Sequence, residues 1–219
     1  MTNPKIILGS GSPRRRALLA KLGVDFEVMT ADVDEESITD GDLVANVLAR
    51  ARLKADALKP LIPQKAIVIT SDTTVADGEE MLNKPADGDE AWRMLSQLRG
   101  RTHQVHTGLV CIDVGGTEHS LVNTTEVVMR PYSDGEIEVY IASGDPLDKA
   151  GAYAIQSPGF RPVARLEGCF TSVMGFPLCD VAELLKNCGV NLTPSQSLTP
   201  DEKTDFYQCD RCASLFEDK

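Results

Sequence analysis

The stretch Ile6-Ile7-Leu8-Gly9-Ser10-Gly11-Ser12-Pro13-Arg14-Arg15-Arg16-Ala17-Leu18-Leu19-Ala20-Lys21-Leu22 decides how the rest of the chain reads. Ile6 to Leu8 are a short apolar run of the kind that forms a buried strand. Gly9, Ser10 and Gly11 carry little bulk and mark a turn. Ser12 suits a helix N-cap, and Pro13 then falls at the first helical position, where its missing N–H costs nothing. Leu18 and Leu22 lie one turn apart and face a core, and Gly23 closes the helix. A strand therefore passes through a small-residue loop into a helix N-terminus, whose free backbone N–H groups suit an anion. Arg14 and Arg15 stand in the first turn, where the helix dipole disfavours cations. That placement makes sense if an anion binds between them; the simpler alternative is a solvated arginine run.

Outward from this stretch, the bulk numbers set bounds. The chain has 219 residues, 42% of them hydrophobic and 25% charged, which is ordinary for a globular protein able to bury a sizeable core. Its 22 basic and 33 acidic side chains give a net charge of −11, which argues against nonspecific binding to nucleic acid or membrane. No apolar stretch reaches the length of a membrane span and no signal-peptide core opens the chain, so a cytoplasmic protein is expected. In a reducing compartment Cys111, Cys169, Cys179 and Cys188 read as small buried hydrophobes.

Asp25 to Thr30 reads as a second strand leading into the acidic loop Asp32-Val33-Asp34-Glu35-Glu36. Residues 42–59 read as a helix with Val44, Leu48, Ala51, Ala55 and Leu58 on one stripe, and Lys54 falls at its margin. Ala66 to Thr70 is a β-branched run typical of a central strand, with Asp72 expected just past its end, where α/β proteins place ligand-binding groups. Asp77-Gly78 signals a hairpin that brings Lys84 back towards Asp72. Capping boxes at Asp87/Glu90 and Ser133/Glu136 open two helices. Between them, Arg101 to Val114 and roughly Glu118 to Met129 read as paired strands. His103 and His106 do not share a face of their strand, so they are not read as a metal pair. Phe170 to Val173 reads as a final strand and Pro177 as the start of a last helix.

Several of these segments carry recognisable motifs: Ser10-Gly11-Ser12-Pro13-Arg14-Arg15, Asp34-Glu35, Ala51-Arg52-Leu53-Lys54-Ala55, and Asp72-Thr73-Thr74-Val75 followed by Leu82-Asn83-Lys84-Pro85. Two longer ones run from Gly100 to Gly108 and from Asp145 to Gln156. Together they resemble the Maf family of nucleotide pyrophosphatases, over about residues 5–190. Asn83 departs from a usual glycine; asparagine tolerates a left-handed backbone. The resemblance implies an α/β fold: a mixed, twisted sheet flanked by helices, with two lobes and a central cleft lined by Ser10–Arg15, Asp72 and Lys84. It implies hydrolysis of a nucleoside triphosphate to the monophosphate and pyrophosphate. Glu35, Lys54, Asp72 and Lys84 then become the catalytic candidates, with Glu35 and Asp72 holding Mg²⁺ (or Mn²⁺) and Asp72 favoured as general base. Ser10, Ser12, Arg14, Arg15, Thr73, Arg101 and Gln156 become the substrate-binding candidates.

Within the family, Thr73 and the Arg101–His103 and Ala152–Gln156 segments resemble the dTTP/UTP branch, whereas Ser71 leans towards the branch acting on 7-methylguanosine triphosphate. A non-catalytic regulator of cell division is the rival from another class. A homodimer stays open as an assembly state. Residues 1–194 are read as the domain and 195–219 as a flexible tail. In that tail Cys209-x-x-Cys212 looks like half a zinc knuckle. Two thiolates cannot fill a tetrahedral site, so a second pair would have to come from another copy.

Overall fold

The opening stretch folds as its residues dictate. In the computed structural model, which describes residues 4–39, 42–62, 65–194, 198–206 and 208–216, strand β1 (Lys5–Leu8) buries Ile6, Ile7 and Leu8 almost completely. Helix α1 (Pro13–Ala20) follows, with the Ser12 hydroxyl accepting from the Arg15 N–H. Gly23 adopts φ +66°, and a Cβ there would stand 1.8 Å from the Thr193 carbonyl oxygen, so only glycine fits.

The described strands form one mixed seven-stranded sheet. Its members are β1, β2 (Phe26–Val28), β3 (Ala66–Asp77), β4 (Glu80–Leu82), β5 (Thr102–Ile112), β6 (Glu118–Met129) and β7 (Val163–Glu167). The order is β2-β1-β3-β5-β6-β7, with β4 paired to the far end of β3. β1 runs parallel to β2 and β3, and the other pairs are antiparallel. β3 continues well past Thr70, because Thr73, Thr74 and Val75 keep the β-branched character going and pair with β5 through Ala76. Asp72 therefore sits in mid-strand, opposite Gly108, and not beyond the strand's end as its sequence context suggested.

Helix α2 (Leu43–Leu58) lies across β3 and β5. Val47, Ala51, Ala55 and Leu58 face inward, while Val44, placed on the apolar stripe by spacing, is exposed. The helix comes so close to the sheet that a Cβ on Gly108 would lie 2.8 Å from the Val47 carbonyl oxygen. Helices α3 (Gly88–Leu98) and α4 (Asp134–Ala142) cover the other half of the sheet, burying Met94, Leu95, Leu98, Ile137 and Tyr140 in a core with Val75, Val105 and Val127. The Ser133/Glu136 box closes in both directions. At α3, Asp87 accepts from the Glu90 N–H, but the Glu90 carboxylate takes the N–H of Ala86.

Phe170 to Val173 is not a strand. It forms one helical turn, α5 (Phe170–Val173), and the edge strand is β7 before it. α6 (Leu178–Asn187) follows as expected. The described part of the C-terminal segment is not a loose tail either. It forms α7 (Pro200–Phe206) and α8 (Asp210–Phe216), and Leu198, Phe206, Cys212 and Phe216 join the same core cluster as Ile6, Leu19, Phe170 and Leu185. Residues 195–197, 207 and 217–219 of that segment lie outside the described residues. Among the described residues no helix is long and apolar enough to cross a membrane.

Candidate active site

A cleft of about 700 Å³ opens where the β1–α1 loop, the loop after β2, α2, the middle of β3 and the 148–156 segment meet. β1 delivers Ser10 and Ser12, α2 points Arg50 and Lys54 at the sheet, and mid-β3 presents Asp72 and Thr73. The turn after β4 returns Lys84 to the rim, and Gln156 lines the opposite side.

At the centre, Lys54 Nζ lies 2.7 Å from Glu35 Oε2 and 2.8 Å from Asp72 Oδ1, and it donates to the Ser71 carbonyl. The Glu35 carboxyl is within hydrogen-bonding reach of Asp72. Burial pushes the Asp72 carboxyl up, but Lys54 and Arg15 beside it outweigh burial and hold it below the usual carboxylate range. Lys54, at the margin of the α2 stripe, turns its ammonium inward and draws two carboxylates from separate elements to one point. Two carboxylates meeting around a single cation in a cleft are a donor set that fits a hard divalent ion.

Arg14 and Arg15 have separate fates. Arg14 reaches across the cleft mouth to Asp148 (3.3 Å). Arg15 turns inward: Nε donates to Gly175 O (2.9 Å), Nη1 to Ser71 O (2.7 Å) and Nη2 to Thr73 Oγ1 (3.2 Å). Its guanidinium ties the β1–α1 loop to β3 and to the turn after α5, so the structure makes it a brace more than a phosphate contact. Arg15→Ala is therefore expected to lower unfolding stability by about 2–3 kcal/mol, the scale for lost charged hydrogen bonds to buried acceptors. Urea unfolding measured beside KM decides this. Unchanged stability with a raised KM would restore the phosphate-contact reading.

Arg101 does not reach the cleft walls; its guanidinium pairs with Asp77 (3.0 Å) on the exposed side of the β3–β4 hairpin. His103 is buried behind the cleft, its Nε2 2.8 Å from the Tyr153 hydroxyl, and burial lowers its pKa to about 4. Tyr153, not Arg101, lines the cleft. Ser71 is fully buried and donates to Gly175 O (2.9 Å), so it faces the brace and reads no substrate. Asn83 has no left-handed backbone; its side-chain oxygen accepts from Arg50 Nη1 (3.4 Å).

Two cations were not singled out from the sequence. Arg50 is buried on the cleft wall with its Nε unpartnered, and Lys149 is held by Asp145 and Asp148. Arg50 stands one helical turn before Lys54, a spacing that places both on one face. That was the available signal.

A mixed-sheet α/β protein whose cleft gathers paired carboxylates, several cations and a helix N-terminus defines a class built to hold a polyanion. Residues 5–188 match the family model described as Maf-like protein, and the chain belongs to that family. It is 45% identical over 185 residues to a dTTP/UTP pyrophosphatase of Vibrio cholerae, covering 84% of this chain and 98% of that protein. It is 46% identical over 187 residues to a dTTP/UTP pyrophosphatase of Myxococcus xanthus, covering 85% and 94%. Among solved structures it is similar to a HAM1 protein from Coxiella burnetii, with 13% identity, a TM-score of 0.48, and 84% and 98% of the two chains covered.

Proposed function

We propose that this protein is a nucleoside triphosphate pyrophosphatase acting on dTTP and UTP, releasing the monophosphate and pyrophosphate. The observation that carries the reading is the Glu35–Lys54–Asp72 cluster at the base of the cleft, with Lys84 at the rim. The curated relatives named dTTP/UTP pyrophosphatase support the substrate class. The feature that leaned towards a methylated purine, Ser71, is spent on Gly175 and has no access to a base.

In this reading the backbone N–H groups of Ser10, Gly11 and Arg14 receive phosphate oxygens, those of Gly9, Ser12 and Arg15 being held by the Ile69 carbonyl and the Ser10 and Ser12 hydroxyls. Lys84, exposed and without an ion pair among the described residues, meets the charge that grows on the leaving pyrophosphate. Glu35 and Asp72 would hold Mg²⁺, which supplies Lewis acidity for the triphosphate and an activated water. Lys54 keeps the two carboxylates converged and offsets their mutual repulsion. One of them accepts the proton of the attacking water as the bond between the α phosphorus and the bridging oxygen breaks. Thr73 hydrogen-bonds Thr107 and Arg15, which fixes the strand beneath the substrate. A cytoplasmic setting and a role in removing unwanted nucleotides belong to the same proposal.

The test is pyrophosphate release from a panel of nucleoside triphosphates, with 7-methylguanosine triphosphate in competition, in Mg²⁺ and in EDTA. Preference for dTTP or UTP by kcat/KM, activity lost in chelator and recovery with Mg²⁺ or Mn²⁺ are expected. Preference for the methylated purine overturns the substrate reading, and full activity in EDTA overturns the metal.

A further inference from the structure

The half-knuckle Cys209-x-x-Cys212 finds its second half within the same chain. α7 and α8 fold back on the domain, and the sulfurs of Cys169, Cys179, Cys209 and Cys212 all come within 4.8 Å of one another. Cys169 and Cys179 belong to the family-matched part of the chain; Cys209 and Cys212 lie beyond it. Three of the four are buried and Cys209 is half-buried. The Cys169 and Cys212 sulfurs are 3.6 Å apart, far longer than a disulfide bond of about 2.05 Å. In a tetrahedral zinc–thiolate centre with Zn–S near 2.3 Å, sulfurs stand roughly 3.8 Å apart. Among the described residues this is the only group of three or more such side chains gathered closely enough to hold a metal ion.

We propose that these four cysteines form a structural tetrathiolate Zn²⁺ site that clamps the C-terminal helices to the domain. The donor set is all soft sulfur and complete, with no position left for water, which is the composition of a structural centre and not a catalytic one. The site is separate from the carboxylates of the cleft. Each thiol that ligates releases its proton to solvent, so four thiols and one Zn²⁺ give a complex of charge −2 and four protons. Around it, Arg211 offsets that charge and ties Asp180 (2.7 Å) to Glu183 (2.9 Å), while Asp180 also accepts from Asn123. Thr171 places its hydroxyl 3.1 Å from the Cys169 sulfur and accepts from the Leu178 N–H.

A clamp also explains how this segment stays folded. α7 and α8 have seven residues each, too short to persist as isolated helices. Cys169 and Cys179 bracket the segment that carries Val173, Met174 and Gly175, the cleft wall held by Arg15. Metal at the bracket would fix both ends of that wall.

The test is metal analysis of the full-length protein purified under reducing conditions without chelator, followed by cobalt exchange. About one zinc per chain is expected, and Co²⁺ in its place should show the intense visible bands and sulfur-to-cobalt charge transfer of a tetrahedral thiolate site. Cys209→Ser, at the least buried ligand, should weaken metal affinity by at least the roughly 10–100-fold seen for loss of an outer-shell partner. Cys188→Ser should leave it unchanged, since Cys188 lies outside the cluster with its sulfur 3.5 Å from that of Cys111. Failure of reduced full-length protein to retain or take up zinc, bound iron in its place, or a cobalt spectrum without sulfur charge transfer would each overturn the assignment.

Discussion

Asp72→Asn is expected to lower turnover by roughly 10² or more, the scale of a lost general base or of a comparable charge on the reaction path. The substitution keeps the side chain's size and its place opposite Gly108 in mid-β3, so the strand pairing survives. Lys54 still has Glu35 at 2.7 Å and the Ser71 carbonyl, and no cation is stranded. The loss is thus chemical: a buried carboxylate, 7% exposed and facing the cleft, gives way to a neutral amide. Binding of nucleotide measured without metal is expected to hold or tighten, because one negative charge opposing the triphosphate is gone. Since the Asp72 carboxyl is held below its ordinary value, any stability that its charge contributes is present at neutral pH. That contribution fades only as pH falls below the unfolded value of about 4. Wild-type and variant unfolding curves should therefore converge in acid. Steady-state kinetics with circular dichroism as a folding control checks the result. A folded variant turning over near the wild-type rate would move the catalytic carboxylate to Glu35.

Much of the site could be read before the fold was known because its residues lie on strongly patterned elements. The apolar run of β1, the Ser12 cap and Pro13 leave one secondary-structure reading for residues 6–22: strand, loop, helix. The stripe of α2 fixes which face Lys54 can occupy to within one position. What escaped is what the chain decides at a distance. Arg15 looks like its neighbour Arg14 in sequence, but its partners come from residues 71, 73 and 175. Arg101 sits in a motif that made it a substrate-binding candidate, yet Asp77, drawn near by the β3–β4 hairpin, takes its charge. Phe170 to Val173 has strand-like composition, and tertiary context overrides it: a four-residue segment is too short for propensity to decide. β7 alternates weakly, as an exposed edge strand does, and gave no periodic signal. The four cysteines are separated by up to 43 residues, and nothing local announces that they meet.

Removing residues 195–219, read from sequence as a flexible tail, is expected to lower the melting temperature by several degrees. Phe206 packs its ring, tilted, 6.4 Å from that of Phe170 and 5.9 Å from that of Phe216, and all three are at least 95% buried. Truncation uncovers Phe170 and the apolar surface around it, and each such side chain is worth about 1.5–3 kcal/mol when fully buried. It also removes Glu202 from Lys21 (2.7 Å) and Arg211 from Asp180, which keeps its hydrogen bond from Asn123. Against these losses stands the entropy that the segment regains, so the net effect is smaller than the gross contacts; about 3 kcal/mol is a fair central figure. For a domain of this size each kcal/mol moves the midpoint by about 2–4 °C. The clamp adds a second requirement. If zinc holds the segment down, stripping metal from the intact chain should reproduce most of the truncation's loss, and chelator should have little further effect on the truncated protein. Such non-additivity marks one shared structural unit. A truncated protein that melts with the full-length chain would mean that α7 and α8 rest on the domain without supporting it.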